Sequence, residues 1–439
     1  MEERLRTKVA EKTIGGLLFA GFMCGTSLDG VDGALIRIIH GKVELLAYQH
    51  HSFSLTLTSW IRQFLSGDGT AESILEQWGD LENLLAETET DLLSSLCDSS
   101  GISPRHLHGA ATHGITVYHK PTPHIPSWEN DKKKMLPGST VQIANPYHLA
   151  RKFGIPVVFD FRRADVAQGG EGAPLATLFH RAVFSDPLHS RAFLNLGGIA
   201  NLTFIPPPAK GEGCLSFDTG PGNMLLDLAV SHMTHGKESY DKGGERSAAG
   251  TSRSTVVEFL LDKRWLLKSP PKSTGREQWG KTKFNDLLAF LKNGEPIPDN
   301  DLLASLAETT AIYIQKGLEW LDAPPDLLII GGGGSHNTNL VDRITRVTGI
   351  PAVTTDQFGW PPQAIESMAF AYLAALTLSG RPSSLPSTTG SEIPSVAGSI
   401  SPPQDGSLPA RIQEICQSAE IHLPFPDRAT PPGFQIPGS

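Results

Sequence analysis

The stretch Leu17-Leu18-Phe19-Ala20-Gly21-Phe22-Met23-Cys24-Gly25-Thr26-Ser27-Leu28-Asp29-Gly30 decides the fold. Its apolar first half predicts a buried strand over 17–25, and the small and hydroxylic residues that follow predict a tight turn. A second apolar run covers 31–39. Gly41-Lys42 then turns the chain into a third over 43–53, so three consecutive antiparallel strands are expected. Beyond them Leu75, Trp78, Leu81, Leu85, Leu92 and Leu96 recur at helical spacing and predict a long helix over about 72–96. A strand is expected over 106–114, a short helix over 146–153, and a buried parallel strand over 156–161.

The second half of the chain repeats this order. Strands are expected over 191–196 and 199–205 with Gly197-Gly198 as the turn, and a short third strand over 214–217. Helices follow Pro221-Gly222 and cover about 301–320. The run 327–330 ends in four glycines, and a strand near 352–354 precedes a final helix over about 362–378. Two copies of β-β-β-α-β-α-β predict two α/β lobes, with each glycine turn facing the cleft between them. The expected first lobe takes 14–160 and 364–402, and the second takes 161–363. The Pro-, Ser- and Gly-rich end, 403–439, is expected to be a loosely attached tail.

Gross properties narrow the function. A chain of 439 residues suits two domains rather than one core. The formal charge is −9, and Lys132-Lys133-Lys134 is an isolated basic run, which argues against a nucleic-acid partner. Cys24, Cys97, Cys214 and Cys416 form no CxxC pair, which argues against a disulfide scaffold or zinc ribbon and fits a reducing compartment. The apolar run 17–23 is too short to span a bilayer and lacks a cleavage site, so no membrane partner and a cytoplasmic location are expected.

Several segments carry candidate chemistry. Gly275-Arg276-Glu277-Gln278-Trp279-Gly280-Lys281-Thr282 matches the P-loop pattern, but its lead-in, Lys268-Ser269-Pro270-Pro271-Lys272-Ser273-Thr274, is unsuited to a central strand. A surface loop before a helix is the expectation there. In Gly25–Gly30, successive N–H groups can nest an anion, and Asp29 can hold a metal bound to phosphate; an ordinary hairpin turn is the plainer reading. Asn195-Leu196-Gly197-Gly198-Ile199-Ala200-Asn201 occupies the equivalent place in the second half. Asp218, in Phe217-Asp218-Thr219-Gly220-Pro221-Gly222-Asn223, is either a general base or a helix cap. Gly331-Gly332-Gly333-Gly334-Ser335-His336-Asn337 allows flat contact with an adenine or ribose. His106, His108, His113 and His119 lack metal-ligand spacing.

Together these segments resemble the anhydro-N-acetylmuramic acid kinases, with the fungal levoglucosan kinases as near relatives. The resemblance spans about 17–402 and includes Thr112-His113-Gly114, Asp160-Phe161-Arg162-Arg163-Ala164-Asp165, Gly169-Gly170-Glu171-Gly172-Ala173-Pro174, Lys272–Glu277 and Glu366-Ser367-Met368-Ala369-Phe370-Ala371. It implies the two-lobed actin/hexokinase-like ATPase fold, an active site in the interlobe cleft, and ATP with Mg²⁺. It implies that Gly25, Thr26, Ser27, Asp29 and Gly30, with Asn195, Gly197, Gly198 and Asn201, bind the nucleotide phosphates. Gly331, Gly332, Gly333 and Asn337 would contact adenosine. Asp218 would be the catalytic base, and Asp29 and Glu366 would lie at the magnesium. His113, Arg162, Arg163, Gly169 and Gly170 would line the sugar. The implied partner is a small anhydro sugar, most simply anhydro-N-acetylmuramic acid, with levoglucosan as the alternative and a homodimer kept open. A non-catalytic nucleotide sensor on this fold would be expected to lack Asp218 or Glu366. Cys24, Ile115, Glu171 and Gly243 depart from the usual Ser, Gln, Gln and Asp.

Overall fold

The computed structural model describes residues 15–25, 28–67, 69–126, 134–208 and 213–417. Thr26, Ser27, Lys132, Lys133 and the end of the chain from 418 lie outside the described residues. The chain divides into two compact units: the described residues up to Val183 together with those from Glu366 onward, and Phe184–Ile365. The first boundary was expected at 160. It falls later because 161–183 packs on the helix Ala364–Leu378, where Phe161 meets Phe370 at 5.2 Å and Phe179 meets Tyr372 at 6.0 Å between ring centroids.

In the first unit β1 (Leu17–Met23), β2 (Gly30–Ile39) and β3 (Lys42–Ser52) are antiparallel neighbours. β4 (Gly109–Thr112) lies parallel beside β1, shorter than the expected 106–114 because His106 closes a 3₁₀ turn. β5 (Ile115–Lys120) and β6 (Ser139–Ile143) form a separate two-stranded ribbon, and β7 (Val157–Phe159) pairs parallel with β4. Central β1 is buried on both faces, which explains its unbroken apolar run. Gly21 is required there: a Cβ would fall 2.1 Å from the Ser367 carbonyl of the helix behind. The long helix runs Ala71–Ser100, capped by Thr70 Oγ1 accepting from Ser73 N at one end and by left-handed Gly101 at the other. Its Leu81, Leu85, Leu93 and Leu96 join Leu18, Phe22 and Leu35 in one core.

The second unit repeats the plan. β8 (Arg191–Leu196), β9 (Ile199–Ile205) and β10 (Leu215–Pro221) are antiparallel; β11 (Leu327–Gly331) and β12 (Ala352–Thr354) continue the sheet in parallel from β8. The orders β3-β2-β1-β4-β7 and β10-β9-β8-β11-β12 are the same arrangement, the duplicated unit of the actin/hexokinase-like fold. The helix Asp299–Leu318 covers this sheet, and its Leu303, Ala307, Tyr313 and Ile314 pack with Leu194, Leu202, Phe217 and Ile330.

β13 (Ser399–Ser401) adds antiparallel to β7. The expected tail from 403 holds on to the first unit through residue 417. A helix, Leu408–Gln417, buries Ile415, and Arg411 donates to the carbonyls of Leu107 at 2.7 Å and Gly154 at 3.0 Å. Among the described residues no helix is long and apolar enough to cross a membrane.

Candidate active site

Asp218 stands midway along β10, in the second unit. The pairing of β10 with β9 slips between Asp218 and Gly220, a bulge that breaks the ladder beside the carboxylate and re-aims it. Both carboxyl oxygens are held: Asn201 Nδ2 donates to Oδ1 at 2.9 Å and the Thr274 backbone N–H donates to Oδ2 at 2.9 Å. Burial pushes the Asp218 carboxyl up to about 6. The bonds from Asn201 and Thr274 oppose the rise, and the charge of Glu277 adds to it. The side chain does not cap the helix Met224–Met233, whose N-cap is Asn223. The geometry therefore removes the cap reading.

The glycine segments of this unit converge. The β8–β9 turn is braced by Gly222 N and Asn223 N donating to the Gly198 and Gly197 carbonyls, both at 2.9 Å. Gly332, at φ +77°, backs onto β8, where a Cβ would come within 2.3 Å of Asn195 Oδ1. A Cβ on Gly334 would meet Asn223 Nδ2 at 2.6 Å, whereas Gly333 is exposed with nothing within 4 Å. Asn195, Gly197, Gly198, Gly332 and Gly333 therefore lie in one neighbourhood of the second unit, whereas Gly331 is buried, with a Cβ there 2.8 Å from the Phe193 ring. Two expected nucleotide contacts have other duties. Asn201 Nδ2 holds Asp218, and Asn337 Oδ1 caps the helix Thr338–Thr348 by accepting from Leu340 N at 2.9 Å.

The P-loop pattern has no P-loop geometry. No strand leads into Gly275; a short helix Arg276–Trp279 and a second, Lys281–Lys292, flank Gly280. Trp279 is fully buried and meets Tyr313 edge-on at 5.1 Å.

The first unit collects the residues expected at the sugar and the metal. Buried His113 accepts from Arg162 Nε at its Nε2, 3.0 Å away, so the proton sits on Nδ1, which donates to the Gly114 carbonyl at 3.0 Å. Burial and the Arg162 charge push His113 down to about 3, so it stays neutral. Arg162 also donates to the Gly172 carbonyl at 2.7 Å, which ties it to the Gly169–Pro174 loop. Burial lowers Arg162 to about 10 while Glu366 and Asp165 favour its charge. Asp165, fully buried, accepts from Gly172 N at 2.7 Å and Thr389 Oγ1 at 2.7 Å, and leaves no room for a Cβ on Gly170. Gly169 sits at φ +77° with open space beside it.

Arg163 diverges from Arg162. It reaches back to Asp160 Oδ2 at 3.0 Å with 63% of its side chain exposed, rather than to Asp165 or Glu171. The turn after β1 is anchored from both sides: Leu28 N donates to the Gly25 carbonyl at 3.1 Å, and Phe53 N to the Asp29 carbonyl at 2.7 Å. Gly30 has no room for a side chain, because a Cβ would lie 2.2 Å from the His51 carbonyl. Asp29 and Glu366 are hard oxygen donors in this one unit, and no group of three His, Cys, Asp or Glu residues gathers among the described residues. Carboxylate oxygens of this kind are the donors Mg²⁺ takes, one or two together with phosphate oxygens and water.

Two features escaped the sequence reading. Glu89, buried in the long helix, accepts from Thr112 Oγ1 at 2.6 Å, and burial raises its carboxyl to about 8. The backbone of 272–274, which brackets Asp218, had as its sequence signal only the family segment Lys272–Glu277.

The family model described as anhydro-N-acetylmuramic acid kinase matches residues 17–403. A protein of that name from Xylella fastidiosa is 38% identical over 381 residues, covering 85% of this chain and 93% of the relative. One from Caldanaerobacter subterraneus is 35% identical over 384 residues, covering 85% and 94%. Among solved structures, component A of (R)-2-hydroxyglutaryl-CoA dehydratase from Acidaminococcus fermentans aligns with a TM-score of 0.42 at 10% identity, over 81% of this chain and 96% of that one.

Proposed function

The chain belongs to the anhydro-N-acetylmuramic acid kinase family, and on that premise we propose that it uses ATP to open 1,6-anhydro-N-acetylmuramic acid hydrolytically and to phosphorylate O6. The products are N-acetylmuramic acid 6-phosphate and ADP. The observation that carries this reading is Asp218, a carboxylate with both oxygens oriented and a protonation equilibrium near neutrality.

In this mechanism Asp218 takes a proton from water as the water oxygen bonds to the anomeric carbon. The bond from that carbon to O6 breaks. O6 bonds to the γ-phosphorus, and the bond from that phosphorus to the bridging oxygen of ADP breaks. The proton on Asp218 returns to solvent. The step resembles an inverting glycosidase in its base and a sugar kinase in its leaving group. Backbone N–H groups of the Gly25 and Gly197 turns would hold phosphate oxygens. Gly331, Gly332 and Gly333 would lie against adenosine. Asp29 and Glu366 would hold Mg²⁺, which when bound screens the charge on the transferred phosphoryl group. Arg162, oriented by neutral His113, would line the sugar with Gly169 and Gly170. A cytoplasmic setting belongs to the same proposal, supported by four free cysteines.

Arg163 separates two substrates. Its guanidinium is 63% exposed although Asp160 is only 14% exposed, so the solvent-facing side of the guanidinium can meet a lactyl carboxylate. The same pairing within the chain favours levoglucosan, which has no carboxylate. A panel of anhydro-N-acetylmuramic acid, levoglucosan and N-acetylglucosamine with ATP decides. Preference for the muramic sugar is expected, with Arg163→Ala raising its KM roughly tenfold or more, the scale of a charged hydrogen bond. Equal efficiency on levoglucosan would overturn the carboxylate reading.

A further inference from the structure

We propose that Lys272 is a positioning residue for Asp218: its ammonium clamps the short backbone segment that orients the carboxylate. The proposal rests on the reading of Asp218 as the base.

The segment 272–274 lies beside the middle of β10. The Lys272 carbonyl accepts from Asp218 N at 3.0 Å, and two residues later Thr274 N donates to Asp218 Oδ2 at 2.9 Å. Residues 272–274 form no helix or strand of their own, so side-chain anchors must hold them in register. Lys272 is such an anchor. It is 4% exposed, and its Nζ lies 5.1 Å from the Trp265 ring, 5.6 Å from Trp320 and 5.8 Å from Phe217. Three aromatic faces around an ammonium favour its charge electrostatically. Nζ also donates to the Trp265 carbonyl at 3.3 Å, and the Trp265 indole donates to the Thr219 carbonyl at 2.8 Å.

The bonds close a ring. Asp218 is tied to the Lys272 backbone, the Lys272 ammonium to Trp265, and Trp265 to Thr219, the residue after Asp218 at the bulge. An aliphatic side chain would fill this space without desolvating a charge. The ammonium adds a directed bond to a carbonyl, which fixes position as well as volume. Burial, with Lys268 nearby, lowers Lys272 to about 8 and so places its charge at some cost. The charged group facing Asp218 is Glu277, which is not part of the ring.

Lys272→Met tests the proposal. Without the clamp, Thr274 N–H loses its hold on Oδ2, and a carboxylate that loses a donor is harder to ionise. The acid limb of kcat/KM for the sugar should move to higher pH by roughly half a unit or more. The kcat should fall at least about tenfold, with the KM for ATP within about twofold. Lys272→Arg, which keeps a cation on the rings, should lie nearer wild type. Should Lys272→Met fail to fold, Trp320→Leu opens the cage from its exposed side and should shift the limb in the same direction by less. Asp218→Asn is measured in parallel. Near-normal turnover in Asp218→Asn removes the base reading and this proposal with it. An inactive Asp218→Asn, together with a wild-type acid limb in both the Lys272→Met and Trp320→Leu proteins, overturns the positioning role while the base stands. Lost activity with an unmoved limb likewise overturns it, since that is structural damage alone.

Discussion

At the scale of single residues, the carboxyl groups of Asp218, Asp227 and Glu89 sit far above their ordinary titration range, and two of them make predictions. Asp218 must be ionised to accept a proton, and its carboxyl is raised to about 6. Sugar turnover should therefore rise as pH increases through about 6. Asp218→Asn should lower kcat by at least about 10²-fold while ATP still binds, as calorimetry would show. A flat profile from pH 5 to 8 would contradict the assignment. Glu89 is raised further, to about 8, by burial alone, with the Thr112 bond opposing. Its folded carboxyl holds a proton that the unfolded chain releases above its ordinary value of 4.5. Stability from this group is thus full below about 4.5 and is lost as pH rises toward 8. Glu89→Gln keeps an acceptor for Thr112 and has no charge to bury. Its melting temperature should match wild type near pH 5 and exceed it near pH 8.5. An equal difference at both pH values would show that Glu89 does not titrate in this window.

At the scale of elements, the glycine segment after β11 is held by contact with β8. Gly332 is left-handed at φ +77°, and a Cβ there would collide with Asn195 Oδ1 and the Leu196 backbone. Gly332→Ala should displace the segment and raise the KM for ATP about tenfold or more, with a smaller effect on the KM for the sugar. Gly333→Ala, in open space, should leave the segment in place, so a rise in its KM for ATP reports the added methyl against the nucleotide rather than a backbone shift. If both variants bind ATP as wild type does, the segment is not an adenosine contact. Element identity was legible in advance here: an apolar strand ending in four glycines before a helix has one economical reading. Which glycine is indispensable was not legible, because the obstacle is Asn195, distant in sequence and brought close by parallel pairing of β11 with β8.

At the scale of the whole molecule, two readings of the chain competed. The GxxxxGK[ST] letters at 275–282 described a phosphate loop, and the repeated strand order described a duplicated ATPase fold. The sheet orders settle this for the duplication. In the 275–282 segment Trp279 serves the core, and Lys281 is exposed at the start of a helix. Lys281→Ala should accordingly leave kcat and the KM for ATP within about twofold of wild type, since surface changes away from special features are near neutral. Loss of ATP turnover in that variant would reinstate the phosphate loop.

The sequence by itself determined the strands of the two repeated sheets, their order and the glycine turns, because these follow from local periodicity and from backbone conformations that few residues tolerate. It did not determine the β5–β6 ribbon or β13. It also picked out Asp218 as a candidate, through the glycines around it. Tertiary structure alone decided the chemistry of that carboxylate. Its donors, Asn201 and Thr274, stand 17 and 56 residues away in the chain. The contrast between Arg162, buried on His113 across 49 residues, and its neighbour Arg163, exposed on Asp160, has the same origin. Adjacent residues of one type look alike in sequence. Burial and partners depend on which distant segments the fold packs against each one, and those set charge, orientation and reactivity.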